Sequence, residues 1–307
     1  MVYTYPKCKN IVVDDYSKPY RDEVVRYLDL IATTDVGRTL YEFMSKPSKT
    51  VRITWKLGTH WMDTQAVPFS DADIRRLSES SERIARERGL SDDDAFDIAL
   101  KEDAILQAKL KGVYVKDHPV MRQLRFLVLE LLGLHSTFRI PTADKGTGEG
   151  SDVRLDYHPA AWREMIKTTG RIGIGHGPGE VLYHELVHGL RMMAGIMLYE
   201  NVPERWDMDD FEEFCSILAA NMYRSARGFT RLRYDHHVAS DKEPWRGDTE
   251  LPAALRDSKR YFEEFRPEIV KWFANQRGFC VALAGSSAPF NPMAVAAKDL
   301  GIPLARP

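Results

Sequence analysis

The stretch VLYHELVHGL, residues 181–190, constrains this chain more than any other. Leu182, Leu186, Leu190, Met193 and Met197 recur at steps of four and three, the spacing of one apolar helix face. Residues 179–195 are therefore expected to form an amphipathic helix with that stripe toward a core. His184 falls about 200° around the helix from Leu182, on a different side. His184 and His188 stand at i and i+4 and stack one turn apart, about the separation that two imidazole ligands of one tetrahedral zinc require. Glu185 lies about 100° around from His184, where it can reach a water at the metal without ligating the metal itself. Two neutral imidazoles, a base and an open coordination position give the HExxH pattern its hydrolytic chemistry. The competing reading is an ordinary helix whose two histidines only pack.

Such a site needs a third ligand. The metzincin extension does not supply it, because Arg191 and Ala194 stand where its glycine and third histidine belong. The other source is a carboxylate on a following helix, and WDMDDFEEFCSILAANMYRSARG (206–228) offers several. Asp209 reads as an N-cap with Glu212 at capping-box spacing, which gives Glu212 a task at the helix end. Glu213 is then the preferred ligand, with small Ser216 three residues on leaving room for an ion. Glu212 is the alternative, followed by Asp207, Asp209 and Asp210.

The rest of the chain sets the frame. With 307 residues, 44% of them hydrophobic, there is ample material for a single large domain. The formal net charge of −2 creates no field that would recruit nucleic acid or an anionic membrane. No apolar run approaches the roughly 18–20 residues of a membrane span, and the first twenty residues lack the apolar block of a secretory signal. Cys8, Cys215 and Cys280 form neither a metal spacing nor a disulfide framework, so a reducing compartment is expected before any dedicated export. PYRDEVVRYLDLIATT and DVGRTLYEFMS, the latter started by Asp35, read as helices; KTVRITW and DVRLDYHP alternate as strands. The charge-dense segment 70–118 reads as a peripheral helical insert with a solvated face, and VMRQLRFLVLELLGL as a buried helix. The strand in DVRLDY is expected to offer backbone groups to an extended ligand. Gly173, Gly175, Gly177 and Gly179 form a lead-in to the HExxH helix, with Pro178 in its first turn. Trp206, Trp245, Trp272 and Cys215 take packing roles, and FNP at 290–292 is a turn; His158 is a support to the site or an exposed residue.

Three stretches carry a family resemblance: YRDEVVRYLDLIATTDVGRTLYEF, VLYHELVHGLRMMAG and EEFCSILAANMYRSARGFTRLRYDHH. Together, over about a third of the chain, they resemble the NleD-type zinc metallopeptidases, injected effectors of Gram-negative pathogens. More remotely they are similar to the clostridial neurotoxin light chains. The resemblance implies an α+β, zincin-like fold: a small twisted sheet, an HExxH helix and a glutamate helix, here with extra N-terminal and inserted helices. It implies one Zn2+ held by His184, His188 and Glu213, with Glu185 as the base. It implies cleavage of a specific host protein, possible signalling proteins included, and delivery by a dedicated secretion system. An Arg-x-x-Tyr step that stabilises the transition state in the neurotoxins has two counterparts here, Arg233 with His236 and Arg231 with Tyr234. The resemblance favours Arg233 and His236. Ala220 departs from the family, where a glutamate often precedes the asparagine corresponding to Asn221. A zinc hydrolase acting on a non-peptide substrate and a non-catalytic zinc-binding or structural module are the rival readings.

Overall fold

The computed structural model describes residues 2–14, 17–55, 65–67, 71–90, 92–105, 144–145, 148–160, 162–163, 177–203, 208, 210–234 and 249–304. The chain is a mixed α+β protein, built among the described residues on a five-stranded sheet of order β1-β2-β3-β6-β4. These strands are β1 (Val2–Thr4), β2 (Ile11–Asp14), β3 (Val51–Thr54), β4 (Gln65–Val67) and β6 (Val153–Asp156). β2, β3 and β6 run parallel, with Ile11 opposite Val51 and Val51 opposite Val153; β1 and β4 run antiparallel at the two edges. β5 (Asp144–Lys145) and β7 (Leu198–Tyr199) form a separate two-stranded ribbon. Period-two alternation buries Ile11, Val13, Val51, Ile53, Val153 and Leu155. On β6 the intervening Arg154 and Asp156 bond to each other at 2.7 Å.

The helices form at the expected places, with local signals setting their ends. In α1 (Lys18–Ile31) the Ser17 hydroxyl accepts from the Tyr20 N–H, and Pro19 sits in the first turn. α2 (Asp35–Met44) is capped by Thr34, whose hydroxyl accepts from the Gly37 N–H at 3.0 Å. Asp35 is the first residue of the helix, as expected. Its carboxylate accepts from the Val36 N–H and from both the backbone and the hydroxyl of Ser287, tying α2 to the C-terminal part of the chain. α3 (Asp71–Arg88) and α4 (Asp92–Glu102) pack on each other, joined by Arg76, which bridges Asp73 and Asp103. They are the described part of the segment expected as an insert; the apolar stretch 120–134 lies outside the described residues.

α5 (Pro178–Met193) is the centre of the molecule. The sheet, α1, α2 and the antiparallel α6 (Phe211–Ala226) all pack against it. Gly189 permits the close approach to the sheet, since a β-carbon there would stand 3.1 Å from a Val51 methyl. The expected stripe of Leu182, Leu186, Leu190, Met193 and Met197 is buried, each side chain contributing about 1.5–3 kcal/mol of apolar burial. The helix is nevertheless buried at every residue except Glu185, so the stripe is one part of a nearly complete enclosure. Behind α6 lie α7 (Ser258–Asn275), α8 (Arg277–Ala284) and α9 (Pro292–Asp299). α7 kinks at Phe265, two residues before Pro267, whose ring and missing N–H break the ladder. FNP is the start of α9: Asn291 caps it and Pro292 is its first residue. Trp272, Cys215 and Cys280 are core residues. Among the described residues no helix is long and apolar enough to cross a membrane.

Candidate metal centre

Within α5 every residue from Pro178 to Met193 is buried except Glu185. The helix starts at Pro178, where the missing N–H costs nothing. It ends with Gly195 in the left-handed region at φ 64°, the Gly195 and Ile196 N–H groups capping the last carbonyls. Between these ends the i, i+4 spacing brings the rings of His184 and His188 together edge to face, with centroids 4.8 Å apart and their Nε2 atoms 3.1 Å apart. Glu213 of α6 closes the triangle: Oε2 lies 3.1 Å from His184 Nε2, and Oε1 lies 3.3 Å from His188 Nε2. Bond lengths of about 2.0–2.1 Å to a tetrahedral zinc place ligand atoms about 3.3 Å from one another. The donor set and its spacing therefore fit a small borderline cation, and His184, His188 and Glu213 form a group able to hold a metal ion.

The electrostatics belong to that convergence. Burial pushes His184 down to about 3, against the pull of Glu213; Arg233 adds to the depression. His188 is buried as deeply, yet the carboxylates of Glu213, Glu185 and Glu212 outweigh the burial and carry it up to about 9. Asp210 is raised to about 7 by burial and by the neighbouring Glu213.

The start of α6 differs from the expected capping box. Its N-cap is Asp210, one residue beyond Asp209, and the Asp210 carboxylate accepts from the Glu213 N–H at 3.0 Å. Asp207 and Asp209 lie outside the described residues. Glu212 has a different task altogether: it takes a two-point ion pair from the fully buried Arg191, at 2.6 and 2.7 Å, and the Leu198 N–H at 2.6 Å. The preferred ligand is in place, but an ion pair from the other helix, not a capping box, occupies its neighbour. Ser216 is fully buried, as a position beside the ligand helix's packing face requires.

A second buried pair joins the opposite ends of the same two helices. Arg224 Nη1 donates to both oxygens of Glu180 at 2.5 Å, and Arg224 Nε donates to the Arg231 carbonyl. Asn221 meets the Arg233 backbone twice, donating to its carbonyl at 2.7 Å and accepting from its N–H at 2.8 Å. Residues 231–233 are thereby bolted to α6, and the Arg233 side chain is buried with its charge bearing on His184. Arg231 instead turns outward to Glu250 at 2.7 Å, and the Tyr234 ring packs 6.4 Å from that of Phe265. His236 lies outside the described residues. His158 is half-buried against Trp55, ring centroids 3.8 Å apart, with burial holding it below its ordinary value.

One expectation is corrected. β6 cannot offer its backbone to a ligand, because β3 and β4 occupy both of its edges. Among the described residues the outer strand on that side is β4. The buried contacts of Arg191, Glu180, Asn221 and Arg224 are not among the sequence expectations, where Arg191 and Asn221 figure only in comparisons of pattern. The signal was available for the first two, since a charged residue in an otherwise apolar helix needs a buried partner. No protein-family model matches the chain, and no similar curated protein or solved structure is found.

Proposed function

We propose that this chain is a zinc-dependent metalloendopeptidase of the HExxH-plus-glutamate class with a zincin-like fold. The observation that carries the reading is the convergence of His184, His188 and Glu213 beside Glu185, the one incompletely buried residue of α5. A packing role for the histidines gives no reason for three lone-pair donors to face one point.

His184 and His188 through Nε2, and Glu213 through its carboxylate, would hold the ion; Asp210 fixes the backbone of Glu213. When bound, zinc polarises the scissile carbonyl and makes a water acidic near pH 7. Glu185 takes the proton of the attacking water and returns it to the leaving amine. Arg233, with His236 as its expected companion, donates to the developing oxyanion. Among the described residues β4, antiparallel to β6, is the outer strand of the sheet on that side, the kind of edge an extended peptide adds to. The resemblance to NleD-type effectors, together with the peptide-sized logic of such an edge, favours a specific host protein as substrate, reached through dedicated export.

The test is metal analysis of the purified protein together with a proteomic comparison of cleavage products from wild type and Glu185→Ala. Stoichiometric zinc and products absent from the variant are expected. Zinc without peptide products would move the reading to a non-peptide hydrolase, and absence of zinc would remove it.

A further inference from the structure

We infer that Arg191 is a positioning residue that decides which of two adjacent glutamates serves the metal centre, and that α7 and α8 act on the centre through it. The inference rests on the metal-binding reading above. Glu212 and Glu213 are neighbours about 100° apart on the first turn of α6, and both carboxylates are drawn toward α5. A carboxylate as buried as Glu212 is expensive without a counter-charge. Arg191 supplies that charge, three residues beyond His188 on the same helix. Its planar fork spans both Glu212 oxygens, a geometry a lysine cannot reproduce. With Glu212 held by two points and the Glu213 N–H held by Asp210, the first turn of α6 has one rotation available, and it is the one that aims Glu213 at the histidines.

The outer side of the guanidinium is also engaged. Nη1 donates to Gln276 Oε1 at 3.1 Å; Nη2 donates to Asn275 Oδ1 at 2.9 Å and to the Ile196 carbonyl at 3.2 Å. Gln276 is the junction between α7 and α8, and its Oε1 also accepts from the Trp272 indole at 3.0 Å. Glu212, the covalent neighbour of Glu213 on the same helical turn, is thus connected through Arg191 to the C-terminal helices by an unbroken chain of short polar contacts. Without Arg191, the Glu212 carboxylate would keep only the Leu198 N–H as a partner and would compete with Glu213 for a cation at the centre.

The experiment measures the zinc dissociation constant of the full-length, metal-stripped protein by chelator competition, and the ligand-field spectrum of the cobalt form. Arg191→Met is expected to weaken zinc binding by about 10–100-fold and to shift the cobalt bands, with Arg191→Lys recovering part of the loss. Gln276→Ala and Asn275→Ala, far from the ligands, are expected near the lower end, about 10-fold. A merely structural role would lower the melting temperature and leave the affinity and spectrum of the folded protein unchanged; that result overturns the inference. If Arg191→Met does not fold, wild-type affinity and spectrum in both Gln276→Ala and Asn275→Ala overturn it. Wild type that binds no zinc would sink the metal-binding reading and this inference together, whereas zinc-binding wild type with unaffected variants sinks this inference alone.

Discussion

The Nε2 atoms of His184 and His188 stand 3.1 Å apart on one side of a helix that is otherwise enclosed. Glu213 faces both. A triangle of lone pairs of this kind is stable when a proton or a cation sits among its members, and unfavourable when nothing does. The two adjacent glutamates of α6 and the single incompletely buried residue of α5 give this relationship its chemical direction.

Glu185→Ala should fold, keep stoichiometric zinc and lose hydrolysis by about 10²–10⁴-fold, the usual worth of a general base. Zinc content and turnover are measured on the same preparation. Loss of zinc in this variant would mean that Glu185 is a ligand, and the assigned role would be wrong.

Glu213→Gln should lose zinc and remain folded. Glu212→Gln should instead destabilise the fold by about 3–5 kcal/mol, because it leaves the fully buried Arg191 without its counter-charge. Denaturant titration and metal analysis separate the two effects. The reverse pattern, zinc lost from Glu212→Gln and stability lost from Glu213→Gln, would exchange the two roles.

Arg233→Ala should reduce kcat by on the order of 10²–10³ at unchanged zinc content. Arg231→Ala and Tyr234→Phe should stay within a few-fold of wild type, since Arg231 pairs with Glu250 at the surface and Tyr234 packs by Phe265. His236→Ala belongs in the same series as the companion of Arg233. A larger loss in the Arg231 and Tyr234 variants would transfer the oxyanion role to them.

Asp35 gives a pH-dependent test away from the metal. Burial alone would raise its carboxyl, but the Ser287 hydroxyl and N–H and the Val36 N–H outweigh burial and hold it below the ordinary value. A depressed folded-state value means stability that is present above the unfolded value of about 3.9 and lost as pH falls through the folded one. Asp35→Asn should cost about 1 kcal/mol at neutral pH, less than a buried charged hydrogen bond because the carboxylate is exposed. It should also flatten the acid limb of the stability profile below about pH 4. Equal acid sensitivity in variant and wild type would contradict this account.

Much of the centre was legible in the sequence because it depends on local periodicity. The HExxH helix, its apolar stripe and the distinct side carrying His184 and His188 follow from 3.6 residues per turn, whatever the rest of the chain does. The strands around Val51 and Val153 and the helices beginning near Lys18 and Asp35 were readable for the same reason. The cap of the glutamate helix was not legible: Asp210 takes the place of the neighbouring Asp209, because a cap depends on backbone angles as well as on residue type.

Tertiary structure decided the rest. Glu212 and Glu213 are chemically identical and adjacent, and the local rule that set them apart, a capping box from Asp209 to Glu212, gives way to a cap by Asp210. What separates them is Arg191, brought to Glu212 only when α5 and α6 pack antiparallel. The strand at 153–156 looked available for pairing, yet β4, from an earlier part of the chain, fills its second edge. Arg231 and Arg233 are the same residue type two positions apart; Arg233 is buried where Asn221 holds its backbone with two hydrogen bonds from another helix, whereas Arg231 reaches Glu250 at the surface. Residue type and spacing along the chain determined which side chains could take part in the chemistry. Which of them do so depends on long-range contacts between buried charges, whose cost in the interior leaves few arrangements open.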